Sequence, residues 1–116
     1  MQSAVTHAPA EVQNFVDGQF KSVPTEKLDV LSPLDGQIIS TVPLSGFTDL
    51  DEAVQAAKKA FPAWSALTLK ERVQFIFRYR NLLIRDREDL SALIQLENGK
   101  TLDEARAEVD KSIELC

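Results

Sequence analysis

The spacing of hydrophobic residues divides the chain into an extended half and a helical half. Residues 1–12 show no apolar period and include a proline, so we predict a flexible tail there. From residue 13 the apolar positions follow a period of two, and Asp17-Gly18 lies between two short apolar segments. An Asp-Gly pair supplies the positive φ angles that a tight hairpin turn needs. The pattern therefore predicts a β-hairpin that turns at Asp17-Gly18.

A second pair of extended segments follows the first. Residues 28–31 and 37–42 are rich in apolar and β-branched side chains, and the segment between them contains Pro33 and Gly36. Proline and glycine at these places mark a turn, so a second hairpin is expected. Two hairpins are marginal alone in water, and we expect them to need another sheet or a partner subunit to lie against.

The apolar period changes to 3.6 at Thr48 and predicts four helices to the end of the chain. Thr48 and Asp51 resemble a capping box at the start of the first helix, which Pro62 should end or kink. Thr68 and Glu71 form a proper capping box, so the second helix should begin there.

The third and fourth helices have equally local signals. Asp86 is expected to open the third helix, and Asn98-Gly99 should stop it, since glycine adopts the left-handed conformation easily. Thr101 and Glu104 form a capping box for the fourth helix. Its apolar spacing runs to the last residue without a stop signal, so we expect the sequence to be cut rather than finished. The apolar face of this helix carries Leu102, Ala105, Val109, Ile113 and Cys116.

Composition narrows the class of protein without naming a reaction. The 116 residues are 44% hydrophobic and 27% charged, as in one globular domain. A formal net charge of -5 argues against a nucleic-acid surface and against polybasic membrane attachment. The single cysteine excludes a disulfide framework and a multi-cysteine zinc site. No run is long and apolar enough for a membrane helix, and no targeting peptide is visible, so a cytoplasmic location is the default expectation.

The residues themselves present no catalytic constellation. Cys116 is the only thiol, and the only histidine, His7, falls in the predicted tail, so Cys116 is best interpreted as a small apolar side chain. Gly99-Lys100-Thr101 resembles the end of a phosphate-binding loop, but Ile94 stands where that loop needs a glycine. The charged residues of the helices are best interpreted as solvated or ion-paired surface.

Four segments, taken together and in order, resemble the start of the aldehyde dehydrogenase superfamily. They are residues 14–20, 32–39, 53–64 and 96–105, the last containing Glu97-Asn98-Gly99-Lys100. The resemblance implies the α/β fold of that superfamily, of which this chain would supply two hairpins and about four helices. Residues 13–43 would belong to the oligomerisation region, and residues 44–116 would be the helical start of the NAD-binding domain, truncated.

Within the superfamily, residues 97–101 and 107–114 look most like the CoA-acylating methylmalonate-semialdehyde dehydrogenase branch. This likeness implies NAD as cofactor, CoA as co-substrate, a small semialdehyde as substrate and a homo-oligomer, with no nucleic-acid or membrane partner. The nucleophile and the nicotinamide-binding residues of the family lie beyond the equivalent of Cys116. We therefore expect this chain alone to be inactive, with no catalytic or cofactor-binding residue of its own.

The resemblance also implies three candidate site residues. The branch often shows Gly-Glu-Val with an arginine two residues on, which helps to hold the substrate carboxylate. Here Ala107 replaces the glycine and Lys111 the arginine, which keeps the charge but loses the two-pronged guanidinium. Some relatives bind a monovalent cation at positions that match Leu31 and Glu108.

Two alternatives remain open at this point. The chain could come from another aldehyde dehydrogenase branch, which differs in substrate and in CoA use. It could also be a non-enzymatic helical module that kept a dehydrogenase-like beginning. Such a module would pair with another protein through Leu102, Val109 and Ile113, a stripe left uncovered by truncation.

Overall fold

The computed structural model describes residues 10–116, which form two compact units. The first unit extends to Ala57 and the second runs from Lys58 to Cys116, so their boundary lies inside a helix. The domain boundary expected after residue 43, between the oligomerisation region and the NAD-binding domain, stays a prediction. The part of the predicted tail before Ala10 lies outside the described residues.

The first unit contains the hairpin expected at Asp17-Gly18. Strand β2 (Asn14–Val16) pairs antiparallel with β3 (Gln19–Lys21). The two turn residues have φ angles of 52° and 75°. Both central residues of this turn are thus left-handed, which is the conformation that a two-residue hairpin requires. The predicted hairpin is confirmed.

A three-stranded sheet with the order β1-β5-β4 forms the rest of the strand region. Strand β4 (Lys27–Leu31) pairs antiparallel with β5 (Ile38–Pro43), which confirms the second hairpin. Strand β1 (Ala10–Glu11) pairs parallel with β5 on its other side. Because β1 falls within the predicted tail of residues 1–12, the tail prediction is wrong for this part. A two-residue strand has no period of its own, so only its pairing with β5 reveals it.

Helix α1 (Phe47–Ala66) begins one residue before the predicted start. The Gly46 N–H donates to Asp49 Oδ2 at 2.8 Å, so Asp49 takes the place at the helix start that we assigned to Thr48 and Asp51. Pro62 lies inside the helix and does not end it. A proline this close to the end costs only one of the last backbone hydrogen bonds, and the helix continues through it.

The other helix boundaries follow the predicted caps. Helix α2 (Leu69–Arg85) starts with a full capping box, in which Thr68 Oγ1 accepts from the Glu71 N–H and the Glu71 carboxylate accepts from the Thr68 N–H. Helix α3 (Arg87–Asn98) ends at Gly99, which has a φ of 75°. The residues that predict these helix ends lie within a few positions of each end, and the predictions at Thr68 and Gly99 are confirmed.

Helices α3 and α4 (Leu102–Glu114) form the best-packed part of the second unit. Ser91 and Ala105 are 0% exposed, and Val109 is 4% exposed. Ser91 Oγ donates to the Arg87 carbonyl at 2.7 Å, which satisfies the hydroxyl inside the contact. Small side chains at the contact allow the two helix backbones to approach closely.

Candidate functional site

Lys111, the candidate for the substrate carboxylate, lies on the last turns of α4. Its Nζ is 3.1 Å from Glu114 Oε2, and both side chains are largely exposed. Lys111 also lines an open groove of about 620 Å³ within the second unit, formed by α2, α3 and α4. The lining is mainly apolar, with Tyr79, Leu83, Leu90, Leu93 and Ile94 among its residues. Among the residues that line this groove, Lys111 is the one cation, and Glu97 and Glu108 are the carboxylates.

The two candidates for a monovalent cation lie in different units. Leu31 ends β4 at an irregularity in the β4–β5 pairing, in the first unit. Glu108 lies on α4, and its carboxylate forms an ion pair with the Lys100 ammonium. Within residues 10–116 there is no cluster of three or more histidine, cysteine or acidic side chains that could hold a metal ion.

Two arginine forks join α3 to α4. Arg87 Nε and Nη2 donate to Asp110 Oδ1 and Oδ2 at 2.6 and 2.7 Å. Arg106 Nε and Nη2 donate to Glu88 Oε2 at 3.1 and 2.7 Å. These hydrogen bonds favour the charged carboxylates, so Arg87 lowers the pKa of Asp110 and Arg106 lowers the pKa of Glu88. The pKa of the Arg87 guanidinium is raised by the same contact with Asp110.

The forks were not found from the sequence, which indicated only an ion-paired or solvated surface. Arg87 and Asp110 are 23 positions apart and lie on different helices. No periodicity within one helix can link them, so the pairing depends on how α3 and α4 pack.

Cys116 follows the end of α4. Its Sγ donates to the Ser112 carbonyl at 3.3 Å, about one helical turn back along the chain. His7, the only histidine of the chain, lies outside the described residues.

The apolar face predicted for α4 is partly covered within the second unit. Ala105 and Val109 are buried, whereas Leu102, Ile113 and Cys116 are half-buried. In the stripe that a helical interaction module would offer to a partner, the central residue Val109 is therefore already buried within the second unit.

The described residues contain no glycine-rich dinucleotide loop between a strand and a helix. Gly18 and Gly36 occupy turns between strands, and Gly99 caps α3. A dinucleotide-binding loop must follow a strand and open a helix with several closely spaced glycines. Here Gly99-Lys100-Thr101 follows a helix, and Thr101 caps the next one. The part of the chain that the structure describes also contains no helix long and apolar enough to span a membrane.

Comparison with known proteins decides the family. The model of the aldehyde dehydrogenase family matches residues 20–116, which is most of the chain. The chain belongs to the aldehyde dehydrogenase family. This result confirms the resemblance found in the sequence.

Relatives of this aldehyde dehydrogenase chain include a malonate-semialdehyde dehydrogenase of Listeria monocytogenes serotype 4a (strain HCC23). The two are 40% identical over 105 residues, which cover 90% of this chain and 22% of the relative. The chain thus spans about a fifth of the length of the curated relatives it matches.

Solved structures share the fold. The lactaldehyde dehydrogenase of Escherichia coli matches with a TM-score of 0.88 and 30% identity, over 92% of this chain and 23% of that structure. A Sinorhizobium meliloti 1021 protein assigned as a methylmalonate-semialdehyde dehydrogenase, complexed with NAD, matches with a TM-score of 0.89 and 28% identity, over 99% of this chain and 23% of its own. The predicted fold class is confirmed: the hairpins and four helices are a portion of the aldehyde dehydrogenase fold.

Proposed function

We propose that this chain is the N-terminal part of an NAD-dependent, CoA-acylating malonate- or methylmalonate-semialdehyde dehydrogenase. Such an enzyme oxidises a short semialdehyde that bears a carboxylate and releases it as an acyl-CoA. The observation that supports this proposal most is the 40% identity to the Listeria malonate-semialdehyde dehydrogenase across 90% of the chain. The proposed enzyme is a cytoplasmic homo-oligomer with no nucleic-acid or membrane partner.

The proposed role of Lys111 is to hold the substrate carboxylate. Its ammonium is the one cation in the mainly apolar lining of the groove. An ammonium attracts a carboxylate as a point charge and imposes less geometry than the arginine fork of the branch. Lys111 Nζ lies 3.1 Å from Glu114 Oε2, and the ammonium would exchange this contact for one with the substrate carboxylate.

The cation site at Leu31 and Glu108 stays a prediction. The Lys100 ammonium already supplies a positive charge to the Glu108 carboxylate. A monovalent cation would therefore compete with Lys100 for this group.

The chain alone is proposed to be inactive. The resemblance places the nicotinamide-binding residues of the family beyond the equivalent of Cys116, so we assign none of the described residues to NAD or CoA. The only thiol is Cys116, which donates to the Ser112 carbonyl. The NAD dependence of the whole enzyme is supported by the structural relative that is complexed with NAD.

The inactivity is tested with the purified chain, malonate semialdehyde, NAD and CoA. We expect NADH to form no faster than in a control without protein, because the resemblance places the nucleophile of the family beyond the equivalent of Cys116. NADH formed above that control, and lost in a Cys116→Ser variant, would show that Cys116 does act as a nucleophile.

The substrate is tested in the protein encoded by the complete reading frame. We expect CoA-dependent NADH formation with malonate semialdehyde to exceed that with lactaldehyde or succinate semialdehyde. Lys111→Met should raise the KM for malonate semialdehyde and leave the KM for lactaldehyde unchanged, since lactaldehyde has no carboxylate.

A second candidate is an aldehyde dehydrogenase of another branch. It is kept because the E. coli lactaldehyde dehydrogenase matches the fold with a TM-score of 0.88, against 0.89 for the Sinorhizobium meliloti structure, so the likeness of fold does not separate the branches. A higher kcat/KM for lactaldehyde than for malonate semialdehyde in the same assay would decide for this branch.

A further inference from the structure

A basic residue of α3, Arg87, contacts α4 at Asp110, one residue before Lys111. We propose that Arg87 is a positioning residue for Lys111, and that it acts through Asp110. The inference rests on the proposed function, in which Lys111 holds the substrate carboxylate.

The contact between Arg87 and Asp110 is a two-pronged fork. Arg87 Nε lies 2.6 Å from Asp110 Oδ1, and Nη2 lies 2.7 Å from Oδ2. Two parallel charge-assisted hydrogen bonds fix the orientation of the carboxylate as well as its distance. Asp110 directly precedes Lys111 on α4. The fork therefore restrains the helix turn from which the Lys111 side chain extends.

Arg87 is itself well anchored at the start of α3. Its carbonyl accepts the Ser91 hydroxyl at 2.7 Å, and Ser91 is fully buried. Its Nη1 also donates to Glu88 Oε1 at 2.6 Å. The guanidinium is thus held between the carboxylates of Glu88 and Asp110.

The direct ion pair of Lys111 supplies far less restraint. The side chains of Lys111 and Glu114 are 69% and 68% exposed, whereas those of Arg87 and Asp110 are 32% and 46% exposed. Exposed pairs on one helix contribute little, because both long side chains remain mobile and solvated. The position of Lys111 at the groove therefore depends mainly on the α4 backbone. The buried contact around Ala105 and Val109 holds this helix against α3, and the Arg87–Asp110 fork adds a restraint next to Lys111.

Arg106 offers a second link within the same helix pair. Its Nε and Nη2 both donate to Glu88 Oε2, and it lies more than one helical turn before Lys111. Glu88 also accepts from Arg87 Nη1, so the two arginines share this carboxylate, whereas Asp110 contacts Arg87. Replacing either arginine by lysine keeps the charge and removes the guanidinium contacts. The variants Arg87→Lys and Arg106→Lys therefore remove contacts between α3 and α4 at different distances from Lys111, and only Arg87→Lys removes the Asp110 fork.

The experiment uses the full chain labelled with ¹³C at the lysine side chains, with malonate as the probe. The Lys111 signal is assigned by its loss in Lys111→Met. We expect Arg87→Lys to shift the Lys111 signal and to weaken malonate binding at Lys111 by about threefold or more, because lysine cannot form the fork. Arg106→Lys should leave both readouts close to the wild type, although urea unfolding should show a similar loss of stability in the two variants.

The outcomes separate the inference from the function it rests on. Equal changes of the Lys111 signal in the two variants, or none in Arg87→Lys, overturn the positioning role. A change confined to Arg87→Lys, with no response of Lys111 to malonate even in the wild type, supports the positioning role and refutes the substrate role. If Arg87→Lys fails to fold, Asp110→Glu tests the same fork with its charge retained, and the same two results decide.

Discussion

Different kinds of contact stabilise the interior of each of the two units of this chain. In the first unit, backbone ladders carry the structure, and its aromatic pair Phe15 and Phe20 stays 63% and 71% exposed although the rings are 5.0 Å apart. In the second unit, side chains carry the structure, through buried small residues and the two arginine forks between α3 and α4. The geometry of the second unit, which contains the candidate substrate residue Lys111, therefore depends on side-chain contacts more than that of the first unit does. Substitutions should therefore disturb the units by different routes.

The largest expected effect is on the contact between α3 and α4. Ala105→Leu adds bulk to a position that is 0% exposed, so overpacking should cost about 1–3 kcal/mol of stability. Urea unfolding followed by the fluorescence of Trp64, the only tryptophan, measures the loss in the second unit.

Ala107→Leu is the control for Ala105→Leu, because Ala107 is exposed on the same helix. It should leave the unfolding midpoint nearly unchanged. Equal midpoints for the two variants would show that the α3–α4 contact is not tightly packed, and the comparison between the units would fail.

The next effect concerns backbone conformation in the first unit. Gly18 has a φ of 75°, and a Cβ there would meet no atom within 4 Å. Gly18→Ala should therefore cost about 1–2 kcal/mol through the left-handed backbone alone. The loss can be measured by amide hydrogen exchange of β2 and β3, and Trp64 fluorescence should not report it.

Gly46→Ala tests whether glycine loss as such matters in this unit. A Cβ at Gly46 would lie 3.9 Å from Asp49 Oδ2, an ordinary contact. Its amide exchange should match the wild type. If Gly46→Ala loosens the hairpin as much as Gly18→Ala does, the turn geometry is not what stabilises β2 and β3.

The smallest effect is the acid sensitivity of the arginine forks. Because Arg87 lowers the pKa of Asp110, their contact stabilises the folded state fully above the unfolded value of 3.8 and loses this effect as pH falls through the lowered value. The Tm difference between wild type and Asp110→Asn should be largest near neutral pH and should disappear below about pH 3. A difference that stays constant over this range would mean that Asp110 acts through packing and not through its charge.

The predictability of each feature follows how far apart its partners lie in the chain. The capping boxes at Thr68 and Thr101 bond to residues three positions on, and both were predicted and found. Thr48 failed as a cap although the spacing was suitable, because Asp49 bonds to the Gly46 N–H instead. Neighbouring residues that can each cap the same helix differ too little in capping preference for the sequence to show which of them does so.

The candidate site shows the same division. Lys111 is a candidate through its place in a family-like segment, and its exposure on α4 agrees with the polar face of that helix. The restraint on its position was missed, because Arg87 and Asp110 are 23 positions apart. The parallel pairing of Ala10 with Ser40 was missed for the same reason.

By itself, the sequence determined the order of the hairpins and helices, most of their ends and the family. Hairpin turns and helix caps depend on residues a few positions apart, so local chemistry is sufficient for them. Tertiary structure alone decided that β1 joins β5, that Ser91, Ala105 and Val109 are buried, and that Arg87 holds Asp110. These contacts join distant segments, and their geometry exists only once the elements have packed.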